Sequence, residues 1–480
     1  MVVKLQRPIL VGGLGLSFCL WMFQSWHHYL VLSGELSLLS VLAVGGGLWL
    51  LKQNTTKEAL EQLDGTPVDR ATVEGAIALA EAVVTQLALE AENHVEALGA
   101  TSLLQEKIVQ LTAELDRKEI HLAVTGGKSV GKTALIRLLK QNFSSLQFHE
   151  TLPLFTETGE KTDAAELEKA SNCDFMLFCV DGDLTDSQFQ IIQQIKAANQ
   201  SIMLVLNKQD QYLPDERLNV FNQLKQRLQG YVVATTAYPI AIKVRKHLED
   251  GSVQEWLEQP APDIQQLTSV LGDILLQQGE QLVWATTRRK ALLLKAEAKD
   301  LLNGIRRHRS VKSIEQYQWI AAAAAFANPV PTLDILATAA INAQMVMDLG
   351  AIYQQKFSLA QAQTVAATMG SLMLKLGLVE LSSQAIATVL KSNAVTFVAG
   401  GAVQGVSAAY LTRIAGLTLV EYFQQQEIAI DYGTTFNPEK LRQTLLSCFQ
   451  QNQQINLLQS FVARCVKRLS PSPKPEISAV

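Results

Sequence analysis

Four residues have the types and the spacing to hold phosphate: Gly126, Gly131, Lys132 and Thr133. They fall at the G-x-x-x-x-G-K-[ST] spacing of a P-loop. Gly126 and Gly131 permit backbone conformations that a side chain would block, so the amides of Gly127, Lys128, Ser129, Val130 and Gly131 can turn inward around phosphate oxygens. Lys132 would reach the β- and γ-phosphates, and the Thr133 hydroxyl would ligate Mg²⁺. The helix that opens with Lys132, Thr133 and Ala134 adds the positive end of its dipole to the same anion. A glycine-rich βα turn with no ligand would share the glycines. The apolar run before the loop and the Leu/Ile-rich helix after it are the context the phosphate-binding motif requires.

A second set of residues can read a base. Asn207-Lys-Gln-Asp210 directly follows the apolar run Ile202–Leu206. A carboxylate such as Asp210 can accept both the N1–H and the exocyclic N2–H of guanine, which adenine does not offer. Lys208 would lay its methylenes along the base, and Asn207 would tie this loop to the phosphate loop. Thr235, Thr236 and Ala237 follow the run Tyr231–Ala234, in the place where the GTPase domains that the N-K-x-D pattern resembles carry an S-A-K loop; the match is partial, and the resemblance implies that the backbone of these residues helps hold the base.

The elements that must position these residues are legible as alternation. Ile120–Val124, Phe175–Val180, Ile202–Leu206 and Tyr231–Ala234 are short and apolar enough for central strands, and the segments between them carry helical periodicity. The expected fold class is an α/β P-loop NTPase domain with a mostly parallel sheet, the site at the strands' C-terminal ends. An N-terminal transmembrane helical hairpin and a C-terminal all-α bundle are expected beside it.

On these motifs residues 119–258 resemble an Era-like small GTPase domain, which implies GTP/GDP and Mg²⁺ as ligands, with Lys132 and Thr133 serving catalysis. The resemblance is weakest in the middle. Its D-x-x-G element has only Glu150-Thr-Leu-Pro153 as a counterpart, with Glu150 as second metal-ligating residue and Pro153 lacking an N–H. The usual switch loop and the second strand are expected to be short or absent, since only about ten residues separate the helix after the glycine loop from Glu150. Thr151 and Thr156 are poor substitutes for its Mg²⁺-sensing threonine, and no residue in place would orient water. Asp181 and Asp183 read as loop-shaping rather than as ligands. Nucleotide binding is thus better supported than turnover. Both a slow GTPase and a non-hydrolysing nucleotide-binding scaffold stay open, and Asn207 with Asp210 disfavours an ATPase.

With 480 residues and a net charge of −4 the chain is expected to hold several folded parts, without nucleic acid as a partner. Five scattered cysteines without a C-x-x-C pair argue against a disulfide frame. Residues 1–52 carry two nearly uncharged apolar runs around Trp26-His-His-Tyr29, flanked by Lys4, Arg7, Lys52 and Lys57. That is the pattern of a hairpin with both ends in the cytoplasm, a secretory signal being its rival. Residues 53–118 read as an amphipathic helical connector, and 259–315 as a long helical linker with Gly304 and Ser310 as interruptions. Its basic clusters, Arg288–Lys290 and Arg306–Arg309, suit either anionic headgroups or pairing with nearby acids. Residues 316–430, with Asn328-Pro-Val-Pro331 and Asp334, resemble the helical domain of unknown function in YcjF-type bacterial membrane proteins. The hairpin with its flanking Lys and Arg implies a multi-pass membrane protein with its bulk facing the cytoplasm, and the resemblance adds a plasma or thylakoid membrane if cyanobacterial. A homodimer or a protein effector is the expected partner besides guanine nucleotide. Residues 431–469 read as amphipathic helices and 470–480 as a disordered tail.

Overall fold

The computed structural model describes residues 68–91, 95–155, 160–228, 230–247, 253–327, 331–392, 401–425, 436–452 and 455–469. The hairpin expected over 1–52, Thr156 and the tail 470–480 lie outside the described residues. Contacts divide the chain into two units, Met1–Ala76 with Leu111–Ala296 and Ile77–Gln110 with Glu297–Val480.

The chain enters through α1 (Arg70–Ala91) and α2 (Val95–Glu114). The first unit is then built on β1 (Ile120–Gly126), α3 (Lys132–Asn142), β2 (Leu146–Glu150), α4 (Glu160–Ser171), β3 (Phe175–Val180), α5 (Asp186–Ala197), β4 (Ile202–Leu206), α6 (Pro214–Leu228) and β5 (Tyr231–Ala234). All five strands are parallel in the order β2-β1-β3-β4-β5. Alternate residues of the central strands supply two cores: Leu122, Val124, Phe175 and Leu177 pack on α3, while Ala123, Met176, Phe178 and Leu204 face the side of α5 and α6. Burial on both faces explains why these strands are continuous apolar runs rather than alternating ones. The bidentate pair from Arg117 to Asp174, at 2.8 Å on both arms, ties the entry of β1 to that of β3, and the Asp174 carboxylate also accepts from His121 N–H at 2.7 Å.

Two features were not legible as strands. Leu146–Glu150 is a parallel edge strand, in register with β1 as Val124 opposite Glu150, and its polar pattern hides it. The stretch β6 (Ile242–His247) and β7 (Val253–Glu258) is an antiparallel hairpin of its own.

The helix α7 (Gln265–Ala327) corrects the expected interruptions, since it passes through Gly304 and Ser310 without a break. Nothing lies within 4 Å of a Cβ placed on Gly304 and Ser310 is fully buried, so neither residue is used as a stop. Its basic clusters pair internally. Lys290 meets Glu114, and Arg306 and Arg309 both meet Glu90, with Arg306 all but buried.

In the second unit α7 is followed by α8 (Pro331–Ile352), α9 (Leu359–Lys375), α10 (Leu378–Ser392), α11 (Gly401–Gln424), α12 (Pro438–Asn452) and α13 (Ile455–Leu469). Leu349, Ile386, Ile414, Leu441 and Val462 lie in one core there. Two described helices, Arg70–Ala91 and Val403–Gln424, are long and apolar enough to cross a membrane, and the bent pair Leu359–Lys375 with Leu378–Val389 would add a third if taken as one span. In α1 the residues Val73, Ala80 and Leu87 are fully buried at seven-residue intervals, so one stripe of this helix is already covered by protein.

Candidate functional site

The site is the loop between β1 and α3. Gly126 closes β1 with φ +140°, and a Cβ there would lie 2.2 Å from the Cys179 carbonyl of β3. Gly131 precedes α3 with φ +92°, and a Cβ there would lie 2.2 Å from Asn207 Nδ2. Both positions therefore need glycine for space as well as for backbone angle. Between them Ser129 also takes a left-handed φ of 61°. Among the described residues no protein acceptor meets the amides of Gly127, Lys128, Ser129, Val130 or Gly131. Successive unpaired amides beside a helix N-terminus form a concavity for an anion.

Lys132 is buried, and its Nζ donates to the carbonyls of Gly126 (2.9 Å) and Gly127 (2.8 Å). Burial holds its pKa below the ordinary lysine value. Thr133 Oγ1 donates to Glu150 Oε1 at 2.6 Å, so the two residues expected to ligate a metal stand side by side. Ala134 is half-buried on the first turn of α3.

Asn207 is the hub that joins three loops. Its Nδ2 donates to Val130 O at 2.8 Å, while its Oδ1 accepts from Thr235 Oγ1 at 3.1 Å and Ala237 N–H at 3.0 Å. Thr235, Thr236 and Ala237 are buried against it. Lys208, at φ 61°, pairs with Asp181 at 3.1 Å, and the Asp181 carbonyl accepts from Tyr212 Oη, so Asp181 shapes the loop. The Asp183 carboxylate accepts from Leu184 N–H at 2.8 Å. The Asp210 carboxylate accepts from Ile240 N–H at 2.9 Å through Oδ2. It lines an open cavity of about 520 Å³ together with Thr236, Pro239, Ile240 and Asp263.

Residues 289–454 match the family model described as Domain of unknown function (DUF697). The DUF697 match begins within α7 and ends past α12, which is wider than the 316–430 stretch expected from sequence. No curated protein sequence matches the chain. Among solved structures, the LeoA bacterial dynamin GTPase from ETEC is 12% identical, covering 84% of this chain and 98% of that one with a TM-score of 0.26. A second, described as an oligomerised bacterial dynamin pair in the long-range sensing and tethering of membranes, is 11% identical, covering 84% and 78% with a TM-score of 0.25. The DUF697 match does not include the loop residues, so what the site can hold follows from those residues alone.

The segment after β2 was missed by sequence reasoning as a structural brace. Thr151 N–H donates to Val124 O, Leu152 N–H to Glu166, Leu154 N–H to Gly126 O and Phe155 N–H to Asp163. Thr151 Oγ1 donates to Thr125 at 2.9 Å in a buried pair, which removes it as a metal-sensing residue. With Pro153 lacking an N–H, no amide from 151 to 155 is left to meet a phosphate. Glu166 and Asp163 give no advance signal of this role, because each is one acid on a charged helix.

Proposed function

We propose that the loop Gly126–Thr133 is a P-loop and that this chain is a guanine-nucleotide-binding protein held at a membrane through residues 1–52, in an Era-like arrangement. The observation that carries the reading is the Asn207 side chain. It clamps the amide loop to the 235–237 loop and leaves Asp210 three residues further on at a cavity, so a phosphate cradle and a base-selective carboxylate belong to one construction.

The residues fit a triphosphate and Mg²⁺. The unpaired amides and Lys132 match phosphate oxygens, the Cβ space at Gly126 and Gly131 is taken by protein, and Thr133 with Glu150 offers the hard oxygen ligands that Mg²⁺ takes. When bound, Mg²⁺ would neutralise charge between the phosphates. Lys132 is positioned to hold phosphate oxygens, and Thr133 keeps its proton on Glu150 while its lone pairs remain for a cation. Asp210 would select the base, with Lys208 alongside and Ala237 N–H held in place by Asn207. GTP hydrolysis to GDP and phosphate is then slow, because among the described residues none beside the loop is placed to orient water.

A second reading, binding without turnover, is favoured by one observation: the amides of 151, 152, 154 and 155 are all committed within the protein and Pro153 has none. Such a segment cannot follow a γ-phosphate without breaking those bonds. Membrane localisation with the nucleotide domain in the cytoplasm, and read-out by the C-terminal helices to a second copy or an effector, complete the proposal.

The test is the base selectivity of the full chain in detergent. Asp210→Asn replaces an acceptor by an amide that can donate to the 2-oxo group of xanthine. The expected result is a loss of GTP affinity with a gain for xanthosine triphosphate. Unchanged GTP binding in Asp210→Asn would remove Asp210 from the site.

A further inference from the structure

The second unit holds a cavity of about 420 Å³ lined by none of the residues of the candidate nucleotide site. Three helices line it: Glu315, Gln318 and Trp319 from α7, Arg413 from α11, and Phe461, Arg464 and Cys465 from α13. On α7 and on α13 the residues recur at i, i+3 and i+4, the spacing that puts side chains on one helix face. The wall is thus built by two matched turns with Arg413 set against them.

Three of its polar side chains, Gln318, Arg413 and Arg464, carry the chemistry. Among the described residues neither Arg413 nor Arg464 makes an ion pair or a hydrogen bond, and Arg413 feels both the Arg464 cation and the Glu315 carboxylate beside it. Gln318 is 4% exposed, and its Oε1 has no hydrogen-bond partner. A buried amide oxygen left without a donor is unfavourable, so an acceptor held at a cavity wall invites a donor from outside. Trp319 and Phe461 supply apolar surface, and Cys465 is fully buried behind them.

We propose that this cavity binds a phosphodiester that carries a hydroxyl group, as a lipid headgroup or as a free glycerophosphodiester. Two guanidiniums against the single Glu315 carboxylate leave one positive charge in excess, which a singly charged diester balances and a doubly charged monoester overshoots. Guanidinium is the group suited to paired phosphate oxygens. The hydroxyl would donate to Gln318 Oε1, and the carbons would lie on Trp319 and Phe461.

The test titrates the full chain in detergent with glycerophosphoglycerol, dimethyl phosphate and glycerol phosphate, and separately with nanodiscs of phosphatidylglycerol or phosphatidylcholine. Saturable binding of glycerophosphoglycerol, or of phosphatidylglycerol discs over phosphatidylcholine discs, is expected. The first result assigns a free diester and the second a headgroup. Arg413→Gln should weaken it about tenfold, the loss of one charge-assisted contact. Gln318→Leu should bring the hydroxylated diester down to the level of dimethyl phosphate, and Arg442→Gln, on another helix, should change nothing. Because Arg464 is exposed, Arg464→Gln serves if Arg413→Gln fails to fold. Equal binding by wild type and both arginine variants, or no binding of any diester in either form, overturns the proposal, as does tighter binding of the monoester.

Discussion

Gly131 passes so close to Asn207 that a methyl group on it would lie 2.2 Å from Nδ2. The amide that reads as part of a base-recognition motif therefore also sets the shape of the phosphate loop. Asn207→Ala leaves Val130 O and Ala237 N–H without their partner in a buried place. Each lost bond costs about 1–3 kcal/mol, so nucleotide affinity should fall by about tenfold to hundredfold while the sheet stays folded. Gly131→Ala should do the same by steric means. Equilibrium binding with far-UV circular dichroism as the folding control checks both.

Lys132 gives the site a pH signature. Burial lowers its pKa, so between its folded value and the ordinary lysine value, about 10.4, the unfolded chain binds more protons than the fold. Its contribution to stability therefore rises with pH across that window, whereas phosphate capture, which needs the ammonium, weakens. GTP affinity measured from neutral to alkaline pH should begin to fall before the ordinary lysine range, and Lys132→Arg should flatten that decline in whatever binding it retains.

The 151–155 segment predicts indifference to the γ-phosphate. GTP and GDP should bind with affinities within about threefold, a difference below 1 kcal/mol. Glu166, held below the usual carboxylate range by Lys169 and by Leu152 N–H, secures this segment. Its contribution is present above the unfolded-state value, about 4.3, and is lost as pH falls through the lower folded value. The stability gap between wild type and Glu166→Gln should accordingly close on acidification through that window, as followed by denaturant titration.

Arg117→Ala isolates scaffold from site. It strands the fully buried Asp174 carboxylate, and breaking such a pair costs about 3–5 kcal/mol. The denaturation midpoint should drop accordingly, and Asp174→Asn in the same background should recover part of the loss.

The strands β1, β3, β4 and β5 were legible because burial on both faces writes them as unbroken apolar runs, and the glycine loop because Gly126 and Gly131 sit where Cys179 and Asn207 leave no room for a side chain. Leu146–Glu150 was not, since an edge strand with Gln147, His149 and Glu150 has no apolar run to show. The β6–β7 hairpin is exposed throughout β7, so no core pattern marks it. The bracing of 151–155 depends on Glu166 and Asp163 reaching back from a helix, a tertiary relation that no local pattern encodes. In α7, Gly304 and Ser310 resemble stops, but a single glycine costs a helix interior only about 1 kcal/mol and a serine less, and the burial of Leu302, Ile305 and Arg306 beside them outweighs it.

The most direct measurement is a titration of the full-length protein, in detergent and with Mg²⁺, against labelled GTP and GDP with ATP as competitor. Saturable binding of both guanine nucleotides, no displacement by ATP, and loss of binding in Lys132→Ala is the predicted result. Failure of either guanine nucleotide to bind, or displacement by ATP as effective as by GTP, would contradict it.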